Sequence, residues 1–128
     1  MKAAIIGTGF MGHVHGQAAQ LAGVDLIGFA GSSQAKADDI AAEFRGAKGF
    51  SSFEAVLDAQ PDIIHICTPN AFHLPQAKAA IERGINVIVE KPLAMNLAEA
   101  DELYALKDKV AITAMPFVYR YNAMVLEL

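Results

Sequence analysis

The chain has one cysteine in 128 residues, Cys67, which excludes an internal disulfide. The start, Met1 to Ile6, enters an apolar strand with no charged leader ahead of it. Both features favour a reducing compartment, and a cytoplasmic location is expected. No apolar run approaches the roughly 18 residues of a membrane span, so no membrane partner is expected. Basic charge is sparse: 10 lysines and arginines face 14 acids, for a formal net charge of −4, and no basic stripe occurs. Electrostatic binding to nucleic acid is not expected on that balance. Histidines number four. His13 and His15 are two apart in a helical stretch and face different sides, so they make no metal pair. His65 lies inside an apolar strand and reads as a hydrogen-bonded core residue, and Cys67 as a small buried hydrophobe.

What the chain does have is apolar substance, 54 % of its residues. That suits one core built on a sheet covered on both faces. Short apolar strands alternate with amphipathic helices. Strands are expected at Lys2 to Ile6, Asp25 to Ala30, Gly49 and Phe50, Ile63 to Cys67, Asn86 to Val89 and Val110 to Ala114. Helices are expected from Gly12 to Leu21, Ala35 to Phe44, a capping box at Ser51 and Glu54 to Ala59, Leu74 to Arg83, and Asn96 as a cap to Lys107. The tail from Tyr119 to Leu128 reads as the start of a further helix. Such alternation implies right-handed crossovers and a parallel sheet. The expected fold class is α/β: a Rossmann doubly wound sheet in three α/β/α layers, strand order 3-2-1-4-5-6.

In such a sheet ligands sit at the carboxyl ends of the strands, by the switch point between the first and fourth. Three turns of unusual chemistry fall at those ends: Gly7 to Gly12, Thr68 to Asn70, and Glu90 to Pro92. The first, Gly7-Thr8-Gly9-Phe10-Met11-Gly12, is G-x-G-x-x-G. Gly7 permits the tight turn, Gly9 leaves room for a pyrophosphate, and Gly12 lets the helix approach the sheet. The helix start after Phe10 and Met11 offers free N–H groups and positive dipole to phosphates. An acid usually stands about 20 residues on, to hold a ribose 2′-hydroxyl. Here that place reads Gly31-Ser32-Ser33, with Lys36 one turn later. No carboxylate repels a 2′-phosphate there, so the expected cofactor is NAD(P), with NADP weakly favoured. Gly31 as a mere loop former, with no strong preference, is the plainer alternative. Lys91 follows the fifth strand between Glu90 and Pro92, and the proline restricts its backbone. Its ammonium can hydrogen-bond a substrate oxygen or relay a proton, which makes it the expected catalytic residue. An exposed pairing with Glu90 is the alternative.

These stretches resemble the glucose–fructose oxidoreductase, inositol dehydrogenase and MocA family. The matching residues are Gly7 to Gly12 with His15, Asp62 to Asn70 with His73, Glu90-Lys91-Pro92-Leu93, and Tyr119 to Asn122. The chain departs from the pattern at Gly31, and at Ala123, where a proline is common. The resemblance implies a cofactor domain in which Thr68, Pro69 and Asn70 lie against the dinucleotide. It also places His73 near the nicotinamide side; a surface histidine capping the helix fits the residue equally well.

The resemblance further implies a second, sheet-rich domain that carries most substrate contacts and further acid–base residues. The expectation is therefore that residues 1–128 are the NAD(P)-binding domain of an oxidoreductase, lacking that second domain and inactive alone. The full enzyme would transfer hydride between nicotinamide and a hydroxyl or carbonyl of a sugar, cyclitol or related small molecule. A non-catalytic NAD(P) sensor or regulatory module is the alternative, and Lys91 argues against it. The apolar segment Ala123-Met124-Val125-Leu126 is a candidate patch for self-association.

Overall fold

The computed structural model describes residues 1–127. Its six strands are β1 (Lys2–Ile6), β2 (Asp25–Ala30), β3 (Lys48–Phe50), β4 (Ile63–Ile66), β5 (Asn86–Val89) and β6 (Thr113–Ala114). They form one parallel sheet in the order β3-β2-β1-β4-β5-β6, the expected doubly wound topology. The helices are α1 (Phe10–Leu21), α2 (Gln34–Ala41), α3 (Phe53–Asp58), α4 (His73–Glu82), α5 (Leu97–Tyr104) and α6 (Ala123–Leu126).

Side chains alternate across the pleat and split the core in two. Ile5, Leu26 and Phe29 face Ile40 and Ala41 of α2, with Phe44 just beyond it. Ala4, Ile6, Ile64, Ile66, Val87 and Val89 face Val56 and Leu57 of α3, Ala77, Ala80 and Ile81 of α4, and Leu103 of α5. Both faces of the central strands are thus covered, which explains their continuous apolar runs.

Several boundaries differ from the sequence expectation. Helix α1 begins at Phe10 because Gly9 is its N-cap, two residues before the expected start. The α3 cap is Ser52, whose hydroxyl accepts from the Ala55 amide, and not Ser51. That shift sets Phe53, Val56 and Leu57 on one face toward the core, and no capping box forms. Strand β4 ends at Ile66, one residue short of Cys67. Strand β6 keeps only two residues, both exposed, because it pairs on one side alone. The expected terminal helix is a 3-10 turn, Val118–Tyr121, followed by α6, with Asn122 as cap; Leu128 lies outside the described residues. Met124 and Leu126 are mostly exposed on it. Among the described residues, no helix is long and apolar enough to cross a membrane.

Candidate functional site

Backbone register brings the three turns to one edge. The Gly7 amide donates to the Ala30 carbonyl, the Cys67 amide to Ile6, and the Glu90 amide to Ile66. Each bond is the last rung between neighbouring strands, so β1, β2, β4 and β5 end level. The turns after β1, β2 and β4 surround a cleft of about 580 Å³, and the turn after β5 stands at the same edge without lining it. Gly7, Thr8 and Gly9 form one wall, Gly31 and Ser32 another, and Thr68 and Pro69 a third.

The glycine turn is sterically enforced. Gly7 has φ +114°, a region closed to most side chains, and a Cβ there would collide with the Cys67 carbonyl. A Cβ on Gly12 would strike the Gly7 carbonyl oxygen. Gly9 is different: a Cβ there would meet nothing within 4 Å. The open space in front of Gly9 is where a ligand can come against the backbone. Helix α1 has no side-chain cap and no acid in its first turn. The N–H groups of Phe10, Met11 and Gly12 therefore remain available to an anion. A dinucleotide pyrophosphate fits this cradle in both shape and charge.

At the end of β2, a Cβ on Gly31 would sit 2.6 Å from the Thr8 methyl carbon. The Thr8 side chain thus fills the space an acidic side chain would need. Ser32 lines the cleft, and its hydroxyl accepts from the Lys36 ammonium at 3.2 Å. The Ser33 hydroxyl accepts from the Lys36 amide at 3.3 Å as the α2 cap. Gly31, Ser32 and Ser33 bring no carboxylate to this corner and Lys36 brings a cation, while Asp39 and Glu43 line the adjoining hollow beside Lys36.

Two buried histidines fasten the turns together. His73 is fully buried at the start of α4, so it is not a surface residue. Its Nδ1 lies 2.9 Å from the Pro92 carbonyl oxygen and its Nε2 2.9 Å from that of Thr68. It stands behind the two turns, with its ring between their carbonyl oxygens. His15, on α1, reaches Glu90 Oε1 with Nε2 at 2.9 Å and His65 Nδ1 with Nδ1 at 2.9 Å. The other Glu90 oxygen accepts from the Lys91 amide at 3.0 Å. Burial, with His15 beside it, lowers the His65 pKa to about 4, so this ring is neutral near pH 7. Burial, and then the Glu90 charge, pushes the Cys67 thiol up to about 12. Cys67 stays protonated and is no nucleophile.

Lys91 and Pro92 are exposed at the same edge, and the peptide between them is cis. Among the described residues, no carboxylate lies within ion-pair distance of the Lys91 ammonium. Glu90 binds its backbone instead. Of the residues singled out in the sequence, Gly7, Gly9, Gly31, Ser32, Thr68 and Pro69 line the cleft. Asn70 opens a 3-10 turn, Asn70–Phe72, at its rim. Phe53, Phe72 and Gln76 also line it and were not foreseen. Gln76 accepts from the Thr68 hydroxyl at 2.7 Å, eight residues away, a spacing with no recognisable pattern. A second, apolar cavity between α4, α5 and β6, walled by Ile81, Leu103 and Met115, lies on the flank of the sheet.

A doubly wound sheet with a glycine cradle at the switch point defines a dinucleotide-binding domain. The chain belongs to the oxidoreductase family with an NAD-binding Rossmann fold, whose model matches residues 1–116. It is 34 % identical over 107 residues to the UDP-N-acetylglucosamine 3-dehydrogenase of Acidithiobacillus ferrooxidans, across 83 % of this chain and 33 % of that one. The solved structure of that enzyme superimposes with a TM-score of 0.89 at 29 % identity, over 99 % of this chain and 42 % of the other. The glucose-6-phosphate 3-dehydrogenase of Bacillus subtilis is 30 % identical over 126 residues, 97 % of this chain and 35 % of that one. A protein from gentamicin A biosynthesis, solved in complex with NAD, superimposes with a TM-score of 0.88 at 28 % identity, over 96 % of this chain and 36 % of its own. The chain thus spans about a third of the length of the curated relatives it matches.

Proposed function

We propose that residues 1–128 form the cofactor-binding domain of an NAD(P)-dependent dehydrogenase acting on a hydroxyl or carbonyl group of a sugar or related polyol. The observation that carries this reading is the cleft shared by the Gly7–Gly12 turn, the end of β2 and the Thr68–Asn70 turn, with the Glu90–Pro92 turn at the same sheet edge. The sugar class is suggested by the relatives, which are named as sugar dehydrogenases. Substrate contacts and further acid–base groups would come from a second domain, which matches the share of the relatives this chain covers.

When bound, the nicotinamide supplies the hydride chemistry. The chain's own part begins with the amides after Gly9, which bind and orient the pyrophosphate. Thr68 and Pro69 form the opposite wall. Lys91 hydrogen-bonds the reacting oxygen of the substrate and stabilises the alkoxide, since its ammonium is exposed at this edge and unpaired among the described residues. Lys36 and Ser32 receive the 2′-phosphate, so NADP is favoured over NAD; both are neutral or cationic donors where an acid would repel it.

Lys91→Ala tests the catalytic half of the reading, made in the enzyme that includes the second domain. Turnover should fall by about 100-fold or more while cofactor affinity stays within a factor of two. Unchanged turnover would remove Lys91 from the chemistry. Equal loss of affinity would make it a binding residue only.

A further inference from the structure

We propose that His15 is a positioning residue for Lys91: acting through the Glu90 carboxylate, it fixes the backbone of the lysine turn to the helix that carries the phosphate-binding amides. The inference rests on the reading that Lys91 faces the ligand at this edge. It assigns a role to two residues, His15 and Glu90, that do not themselves line the cleft.

The geometry is a chain of three contacts. Lys91 N donates to Glu90 Oε2 at 3.0 Å, His15 Nε2 meets Glu90 Oε1 at 2.9 Å, and His15 Nδ1 meets His65 Nδ1 at 2.9 Å. Glu90 is only 5 % exposed and His15 only 8 %. A carboxylate out of water needs donors on both oxygens, and His15 and the Lys91 amide are the two it has among the described residues. To make the bond His15 must carry its hydrogen on Nε2. His65, held neutral by its burial, grips the other ring nitrogen and stops the His15 ring from turning.

What it joins is specific. His15 lies six residues after Gly9 on α1, and Glu90 directly follows β5, 75 residues away in sequence. A shift of α1 under a bound pyrophosphate is passed to the turn that carries Lys91 through this single pair. Hydrophobic packing could hold α1 on the sheet, but it would not orient a peptide N–H. A buried, hydrogen-bonded carboxylate is a poor source of stability in itself and a good device for fixing one geometry.

The test uses the 128-residue chain without cofactor, reading backbone amide hydrogen exchange by NMR. In His15→Ala, exchange at the Lys91 amide should accelerate at least about tenfold, the loss of one hydrogen bond to a charged acceptor. Amides in β1 and β2 should keep their protection. His15→Gln, which restores an N–H donor near the same place, should return most of the protection at Lys91. Unaltered exchange at Lys91 in His15→Ala, or equal acceleration across the whole sheet, overturns the proposal. Should His15→Ala fail to fold, the unmutated chain still decides: its imidazole nitrogen spectrum should show the His15 hydrogen on Nε2, and a bare Nε2 refutes the contact. NADPH is then titrated separately. Protection that follows the proposal with no NADPH binding would leave the positioning intact and sink the dinucleotide reading instead.

Discussion

Replacing Gly9 by valine separates binding from folding more cleanly than any other change in the loop. Gly9 has φ −85° and ψ −168°, an extended conformation that valine adopts freely. Its Cβ would meet no atom of the chain within 4 Å. Gly9 is the N-cap of α1 and valine is a poorer cap, so folding stability should fall by about 1 kcal/mol while the fold is kept. The two methyl groups, however, would occupy the space where a pyrophosphate meets the α1 amides. Charge-assisted hydrogen bonds contribute about 1.5–3 kcal/mol each, so displacing the phosphate from about two of them costs about 3–6 kcal/mol. That is about a 100- to 10,000-fold weaker Kd, at about 1.4 kcal/mol per tenfold. Calorimetric titration with NADPH, beside thermal unfolding followed by circular dichroism, measures both quantities. A folded variant that binds within a factor of three of the parent would refute the placement of the pyrophosphate. A variant that unfolds would refute the claim that the space is open.

The ribose corner and the buried histidine give two further expectations. Gly31→Asp alone should weaken both cofactors, because its Cβ presses on the Thr8 methyl, whereas Thr8→Gly with Gly31→Asp should turn preference toward NAD; competitive titration of NADH against NADPH checks this, and an unchanged ratio in the double variant excludes this corner as the selector. The His65 pKa is depressed to about 4 in the fold, against about 6.5 when unfolded, so its contribution is complete above pH 6.5 and is lost as pH falls through 4. Urea unfolding should show about 2–3 kcal/mol less stability at pH 4.5 than at pH 7 in the parent, and a clearly smaller loss in His65→Gln; identical slopes would mean that the ring is not buried neutral.

The parts legible in the sequence were those written in local patterns. Strands β1, β2 and β5 match the expected ranges residue for residue, because each is a short apolar run between turn residues. The Asn96 cap was equally plain, since its side chain acts on the amide three residues on. Glu54, three residues after Ser51, makes Ser51 the sequence's candidate cap at α3, whereas Ser52 caps the helix and turns Phe53 against the core. The glycine turn and the Glu90–Pro92 turn were found, and their common edge followed from strand direction alone. What escaped was contact between distant residues. His15, His65 and Glu90 meet only because the His15 side chain reaches from α1, which packs on β1 and β2, to β4 and the residue after β5. The burial of His73 depends on carbonyls from two separate turns, and the crowding of Gly31 on the rotamer of Thr8. None of these leaves a periodic trace.

The most direct test of the central claim is a nitrogen–proton NMR titration of the 128-residue chain with NADPH and, separately, NADH. Saturable one-to-one binding is predicted, with the largest amide shifts at Gly9 to Gly12, Gly31 to Ser33, Thr68 to Asn70 and Lys91, and tighter binding for NADPH. Absence of binding at millimolar cofactor, or shifts confined to residues away from this edge such as those around Ile81 and Leu103, would contradict it.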